Sequence, residues 1–227
     1  VLQASTTTAL TAAPVPAIVG MPVQLTATVS QPGSSGVVLG GAVDFLEGAL
    51  PIPGCSAVPV VSGVAICNTS FSPAGVRTLV ANYLGDNNNL PSSDSLQLMV
   101  NRVPTTTTLT VLPDSVPING VVNLSVLVEG GVPPLSGTVS ITANGFPIPE
   151  CQNLTLVGGM ASCQFIALEA NEFLLVATYS GDVDDDSSSG TASLTVFALS
   201  IPVGGPWVVM LLVLLMMALA RRAIRQL

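Results

Sequence analysis

The residues best equipped for covalent chemistry in this chain are its four cysteines, and their spacing is regular. Cys55 and Cys67 are twelve positions apart, Cys151 and Cys163 are twelve apart, and the second pair follows the first at an offset of 96. Such thiols can close two disulfides, or supply four thiolates to one metal ion. The metal reading needs sulfurs from both pairs to converge, and no Cys-x-x-Cys spacing is present to seed it. The spacing therefore predicts that Cys55 closes on Cys67 and Cys151 on Cys163, each pair between two neighbouring strands joined by a hairpin. Val64-Ala65-Ile66 and Met160-Ala161-Ser162 lead into the second cysteine of each pair. Each bridge closes a short loop and is expected to stabilise its surroundings by about 3 kcal/mol on a chain-entropy estimate.

The rest of the catalytic repertoire is thin. The 227 residues contain no His, and all five basic residues are Arg, so the usual general bases and activated nucleophiles are missing. Without Lys there can be no Lys–Asn isopeptide cross-link. No enzymatic activity, cofactor or small-molecule substrate is expected. The net charge is −8, and only Arg77 and Arg102 lie outside the C-terminal tail, which leaves nucleic-acid binding nothing to rest on. One acidic group can be weighed as a site: Asp182, Asp184 and Asp186, with Asp185 among them, follow Gly181 and could offer oxygens to Ca²⁺. The loop lacks the Gly and terminal Glu of an EF-hand, and a solvated turn is the plainer reading. Asp86-Asn87-Asn88-Asn89 is its weaker counterpart. The sequons at Asn68, Asn123 and Asn153 are what chance gives in a chain rich in Ser and Thr.

The elements that must position these residues come in duplicate. Thr6-Thr7-Thr8-Ala9-Leu10 recurs as Thr105-Thr106-Thr107-Thr108-Leu109, and Val23 to Val29 recurs as Val122 to Val128. At the offset of 96, Gly41 to Phe45 matches Gly137 to Ile141, Pro51-Ile52-Pro53 matches Pro147-Ile148-Pro149, and Tyr83-Leu84-Gly85-Asp86 matches Tyr179-Ser180-Gly181-Asp182. This is the signature of a repeated unit. Within each copy apolar and polar residues alternate, β-branched residues abound, and Gly, Pro, Asn or Asp punctuate the chain at short intervals, all of which predicts strands. About 95 residues with some seven strands is the size of a two-sheet sandwich. The Thr-Thr-Thr-x-Leu opening, the Gly-x-x-Val-x-Leu-x-x-x-Val second strand and the Tyr-x-Gly-Asp turn resemble bacterial immunoglobulin-like repeat domains. The expectation is an all-β chain: one Ig-like sandwich in 1–102, a second in 103–200, and a hinge and hydrophobic C-terminal α-helix in 201–227.

That last segment carries an uncharged apolar run from Trp207 to Ala220, followed by Arg221, Arg222 and Arg225. Gly204 and Gly205 break the chain before it, and Pro206 suits a first helical position. The predicted helix comprises Pro206, Trp207, Val208, Val209, Met210, Leu211, Leu212, Val213, Leu214, Leu215, Met216, Met217 and Leu219. It is apolar all round, so it needs lipid or other copies of itself around it. Fourteen residues rise roughly 21 Å, short of the roughly 30 Å hydrocarbon core. A basic end of this kind stays cytoplasmic during insertion, leaving the rest outside.

Ile201, Pro202 and Trp207, with the apolar run and the arginines, resemble the IPTL type of bacterial C-terminal sorting domain, which implies processing by an exosortase-type enzyme. Val203-Gly204-Gly205-Pro206 stand where that family has Thr-Leu and an acidic residue, so the mature protein is expected to keep its tail. The start, Val1-Leu2-Gln3, predicts that a secretory leader has been removed. Only 8% of residues are charged against about 25% in soluble domains, and neutral or apolar surface at Val37-Val38-Leu39, Leu127 and Phe197 fits contact with other proteins. The expected function is a structural subunit of a bacterial cell-surface filament or pilus-like fibre. Its partner would be itself, with membrane lipid around the tail before assembly. The alternative is a membrane-anchored or exosortase-sorted adhesin or stalk.

Overall fold

In the first half of the chain, alternation of buried and exposed side chains sets the strands. The computed structural model describes residues 3–33 and 40–199. Six longer strands are β1 (Thr7–Ala13), β2 (Val23–Ser30), β3 (Ala42–Glu47), β4 (Val64–Thr69), β5 (Gly75–Tyr83) and β6 (Ser92–Asn101). In β2, Val23, Leu25, Ala27 and Val29 are buried while Gln24 and Thr28 face out, the period of two that a strand imposes. β2 lies between β1 and β4 in an antiparallel three-stranded sheet. Facing it, β6, β5 and β3 form the body of a second sheet. Ala17–Ile18 joins that sheet by pairing parallel to Val100 and Asn101. Pro14 and Pro16 separate this short segment from β1; having no N–H, they end the ladder to β2 and let the chain cross between sheets.

The second half repeats the arrangement with β7 (Thr105–Leu112), β8 (Val121–Gly130), β9 (Thr138–Ala143), β10 (Met160–Ile166), β11 (Asn171–Tyr179) and β12 (Ser188–Phe197). The orders β7-β8-β10 and β12-β11-β9 match the first half, and Ser115–Pro117 pairs parallel to the end of β12. Two immunoglobulin-like sandwiches result. Each encloses its own core, with Phe45, Leu25, Leu79 and Tyr83 fully buried in one and Ile141, Leu124, Leu175 and Tyr179 in the other.

The threonine openings have a defined role. Along the flank where β1 meets β6, the hydroxyls of Thr6 and Thr8 share Ser92 Oγ at 2.8 and 2.7 Å, and Leu10 N–H donates to Asp94 Oδ2 at 2.8 Å. In the second sandwich, Thr105 and Thr107 share Ser188 Oγ, both at 2.7 Å. Gly190 stands at the position of Asp94, where any Cβ would collide with the Thr107 carbonyl. A seam of side-chain hydrogen bonds thus joins the two sheets at one edge.

Two expectations are corrected or displaced. The cysteines are not on a hairpin of paired strands: Cys55 lies in a turn after Leu50–Pro51, and Cys151 ends a 3₁₀ turn, Pro149–Cys151. The segment between the first pair, Val58–Pro59, pairs with β3 in one sheet, whereas Cys67 lies in β4 of the other. The predicted helix and basic end (206–225), the Ile201, Pro202 and Trp207 motif, and Val37-Val38-Leu39 lie outside the described residues.

Candidate functional site

The disulfides are Cys55–Cys67 and Cys151–Cys163, with Cα–Cα separations of 5.6 and 5.5 Å, and no described cysteine is free. Each ties one sheet to the other. Cys55 is held against β3 because Phe45 N–H donates to its carbonyl at 3.0 Å and Ile52 N–H donates back to the Phe45 carbonyl. In the second sandwich Ile148 N–H and Gln152 Nε2 both donate to the Ile141 carbonyl of β9. The half-cystines Cys55 and Cys151 are fully buried. Such bridges form and persist in oxidising compartments, so the chain is a secreted or surface protein.

The Tyr-x-Gly-Asp motif builds a turn between the last two long strands of each sandwich. Tyr83 Oη donates to the Gly40 carbonyl at 3.0 Å, and Tyr179 Oη to the Ser136 carbonyl at 2.6 Å. Burial, with the Asp182 and Asp185 carboxylates nearby, pushes the Tyr179 hydroxyl up to about 12. Gly41 and Gly137 have φ of +81° and +84°, and a Cβ on either would sit 2.5 Å from the carbonyl of Gly85 or Gly181. Asp86 caps the first turn, accepting from Asn88 N–H at 2.7 Å and from Asn89 Nδ2 at 2.9 Å on each oxygen. The Asn89 bonds above all hold its carboxyl below the usual range.

In the second turn the carboxylates turn to different partners. Asp182 caps its own loop, accepting from Asp184 N–H at 2.9 Å, Asp185 N–H at 2.8 Å and Ser136 Oγ at 2.5 Å. Burial works to raise it, but these bonds win and hold it low. Asp184 reaches across to Ser72 Oγ at 3.0 Å. Asp186 gives its backbone N–H to the Val103 carbonyl at 2.9 Å. Among the described residues no group of three or more potential ligands is placed to hold a metal ion: Asp182 caps its loop, Asp184 bonds Ser72 and Asp186 bonds Val103.

Asp185, one of four acids in a stretch whose sequence reads as a solvated turn, is wholly buried. Oδ1 accepts from Val132 N–H at 2.8 Å, whereas Oδ2 has no partner. Burial raises its carboxyl above the usual range, opposed by the Val132 bond and reinforced by Asp182, Asp184 and Asp186. The signal that finds it is the repeat: at the offset of 96 the same place is held by Asn89, which is also buried and there serves as a donor.

This turn also makes the junction between sandwiches. Within the second sandwich Val103 bridges to Asp185, its N–H donating to the Asp184 carbonyl at 2.8 Å, as Ala4 N–H donates to the Asn88 carbonyl in the first. Val103 and Val132 pack against the first core. A shallow cleft of about 550 Å³ beside the junction is lined by Ile18, Ala74, Asn101, Arg102, Pro104 and Asp186 among others. Its charged residues are Arg102 and Asp186, and neither a nucleophile with a base nor a metal group is present in it.

No curated protein matches this chain. Among solved structures, the Yersinia pseudotuberculosis adhesin InvE is 17% identical with a TM-score of 0.42, over 88% of this chain and 61% of that one. The titin domains z1z2 in complex with telethonin give 15% and 0.41, over 88% of this chain and 100% of that one. Fibronectin(III)-like modules of Clostridium thermocellum CbhA give 15% and 0.30, over 83% and 94%. Residues 10–101 match the family model of the bacterial Ig-like domain (group 3).

Proposed function

We propose that the protein is a non-enzymatic stalk of the bacterial cell surface, two Ig-like sandwiches in series held at their C-terminal end by the apolar segment 207–220. The observation that carries this reading is the junction. The second sandwich meets the first through the Ser72–Asp184 bond and the packing of Val103 and Val132 against the first core, so the chain runs from one sandwich into the next without a free linker. An array of this kind spaces and presents, and its composition lacks the His and Lys that commonly serve as general bases. Leaving the apolar run in water would cost on the order of 20 kcal/mol at roughly 1.5 kcal/mol for each large side chain, so it must be covered. In lipid, the arginines after it keep that end cytoplasmic and the sandwiches outside.

The filament is the second reading, favoured by the run's being only fourteen residues, short for a bilayer but free of any length requirement in a shared core. Flotation of the full chain with phosphatidylcholine vesicles, alongside electron microscopy of sheared cell-surface material, separates the two. The stalk reading expects the protein to float with vesicles and no fibres to be seen. Fibres containing the protein support the filament, and a monomer remaining in the aqueous fraction overturns both.

A further inference from the structure

We infer that the C-terminal end of the second sandwich is a lipid-contacting face that rests in the membrane interface; this rests on the stalk reading above. The repeat supplies an internal control. At the end where β12 finishes, the second sandwich exposes Leu112, Val121, Ile166, Leu168, Phe197 and Leu199. Leu168 is 70% exposed, Leu112 68% and Leu199 71%, far more than large apolar side chains need be. The corresponding positions of the first sandwich, aligned by strand register, hold Ala13, Pro22, Ser70, Ser72, Asn101 and Val103. At these six positions the second copy carries the larger side chain, while the exposed Val15, Ile18 and Met21 at the same end of the first copy are Asp114, Pro117 and Gly120 in the second.

These side chains share one end of the fold. Val121 and Ile166 are cross-strand partners, and Leu112 lies opposite Asn123 on the same sheet. Ala167 exchanges backbone bonds with Asn119 and Gly120, and Ile118 N–H donates to the Phe197 carbonyl, which brings Leu168 and Phe197 to the same place.

The two ends face different surroundings. That of the first sandwich meets protein: Ser72 bonds Asp184, Val103 packs against the first core, and Ile18 lines the cleft beside it. The end of the second sandwich meets whatever lies beside the chain after Leu199. The apolar run begins at Trp207, eight residues later, and eight extended residues reach at most about 29 Å. An anchored run therefore holds this face against the bilayer surface. Clustered exposed apolar residues of this extent mark a contact surface. Side chains of amphipathic faces sink about 5–10 Å into the headgroup boundary. Sinking the face also shortens the distance the fourteen-residue run must cover, which narrows the mismatch with the hydrocarbon thickness. Asp114 and Glu169 lie among these residues, so the attraction is apolar and anionic lipid should weaken it.

The test places a fluorescent probe in the full chain. A Leu168→Trp variant in a Trp207→Phe background is reconstituted with phosphatidylcholine vesicles containing lipid brominated near the headgroup end of the acyl chain; Ser72→Trp in the same background is the control. Trp at 168 should shift to the blue and be quenched, independently of salt, while Trp at 72 is not. Leu112→Trp serves as a second probe if the first variant does not fold. Protein that floats with vesicles while both 168 and 112 stay unquenched overturns this inference and leaves the stalk intact; protein that does not float overturns the stalk itself. Quenching that needs anionic lipid and vanishes in high salt, or a blue shift without lipid that tracks self-association, also overturns it.

Discussion

Replacing Asp185 by Asn should stabilise the second sandwich near neutral pH, and the reciprocal Asn89→Asp change should destabilise the first. The structure supplies both sides of the comparison. Asn89 gives its Nδ2 to both oxygens of Asp86 at 2.9 Å. Asp185 occupies the matching place beside Asp182 with a buried, unpartnered Oδ2 and no proton to offer once ionised. An unsatisfied buried acceptor costs about 1–3 kcal/mol. The amide keeps the oxygen that takes the Val132 N–H and adds the missing donor, so the gain should be of that order. In a domain of this size each kcal/mol moves the melting midpoint by about 4–8 °C.

The pH dependence has a definite sign. Asp185 keeps its proton to higher pH when folded than when unfolded, so its contribution is fully present below the ordinary carboxylate range and is lost as pH rises through the raised value. Asp182, held low, works the other way, its contribution fading as pH falls. Calorimetric melts from about pH 4 to about pH 8, a range that brackets ordinary carboxylates, should show the second sandwich weakening toward the alkaline side in the wild type and not in Asp185→Asn. A variant that melts at or below the wild-type temperature near neutrality, or that keeps the alkaline decline, refutes the reasoning. So does an Asn89→Asp chain whose first sandwich is unaffected.

Removing the Cys55–Cys67 bridge with a double Cys→Ala change should cost the first sandwich about 3 kcal/mol in urea unfolding, and non-reducing peptide maps of the wild type should show both bridges within their own sandwiches. A cross-link between Cys67 and Cys163 would contradict the fold. Gly137→Ala should destabilise by about 1–3 kcal/mol, the cost of a residue forced into a sparsely populated backbone region, since its Cβ meets the Gly181 carbonyl at 2.5 Å; Gly145→Ala, at the same φ of +84° but with open space, should cost less. Equal losses at the two sites would show that backbone strain alone, without the collision, sets the cost.

The alternation in β2 and β8 made those strands legible, because burial on one face leaves a period of two in the sequence itself. The cysteine pairing was legible for the same reason, as a spacing repeated at 96. Where Cys55 sits was not: its turn is set by backbone bonds to Phe45 and Ile52, a tertiary circumstance with no local pattern. The threonine openings could be seen as a motif but not explained, since the partner of Thr8 is Ser92, 84 residues away. Asp185 shows the limit most clearly. Three neighbouring acids gave it the look of a solvated loop, and only its position opposite Val132, in a different loop, buries it.

The seam at Thr6, Thr8 and Ser92 bears on how such molecules coexist at high density. Open sheet edges invite pairing with a neighbour's strand, and proteins commonly guard them with lysines. This chain has no lysine and little charge of any kind. Its first sandwich instead spends the β1 edge inward: the Leu10 N–H, which an incoming strand would need, is already taken by Asp94, and the adjoining hydroxyls are bonded to one another. Crowded copies can then touch side by side without templating one another's sheets, and the low charge that lets them approach does not carry the usual penalty of strand exchange.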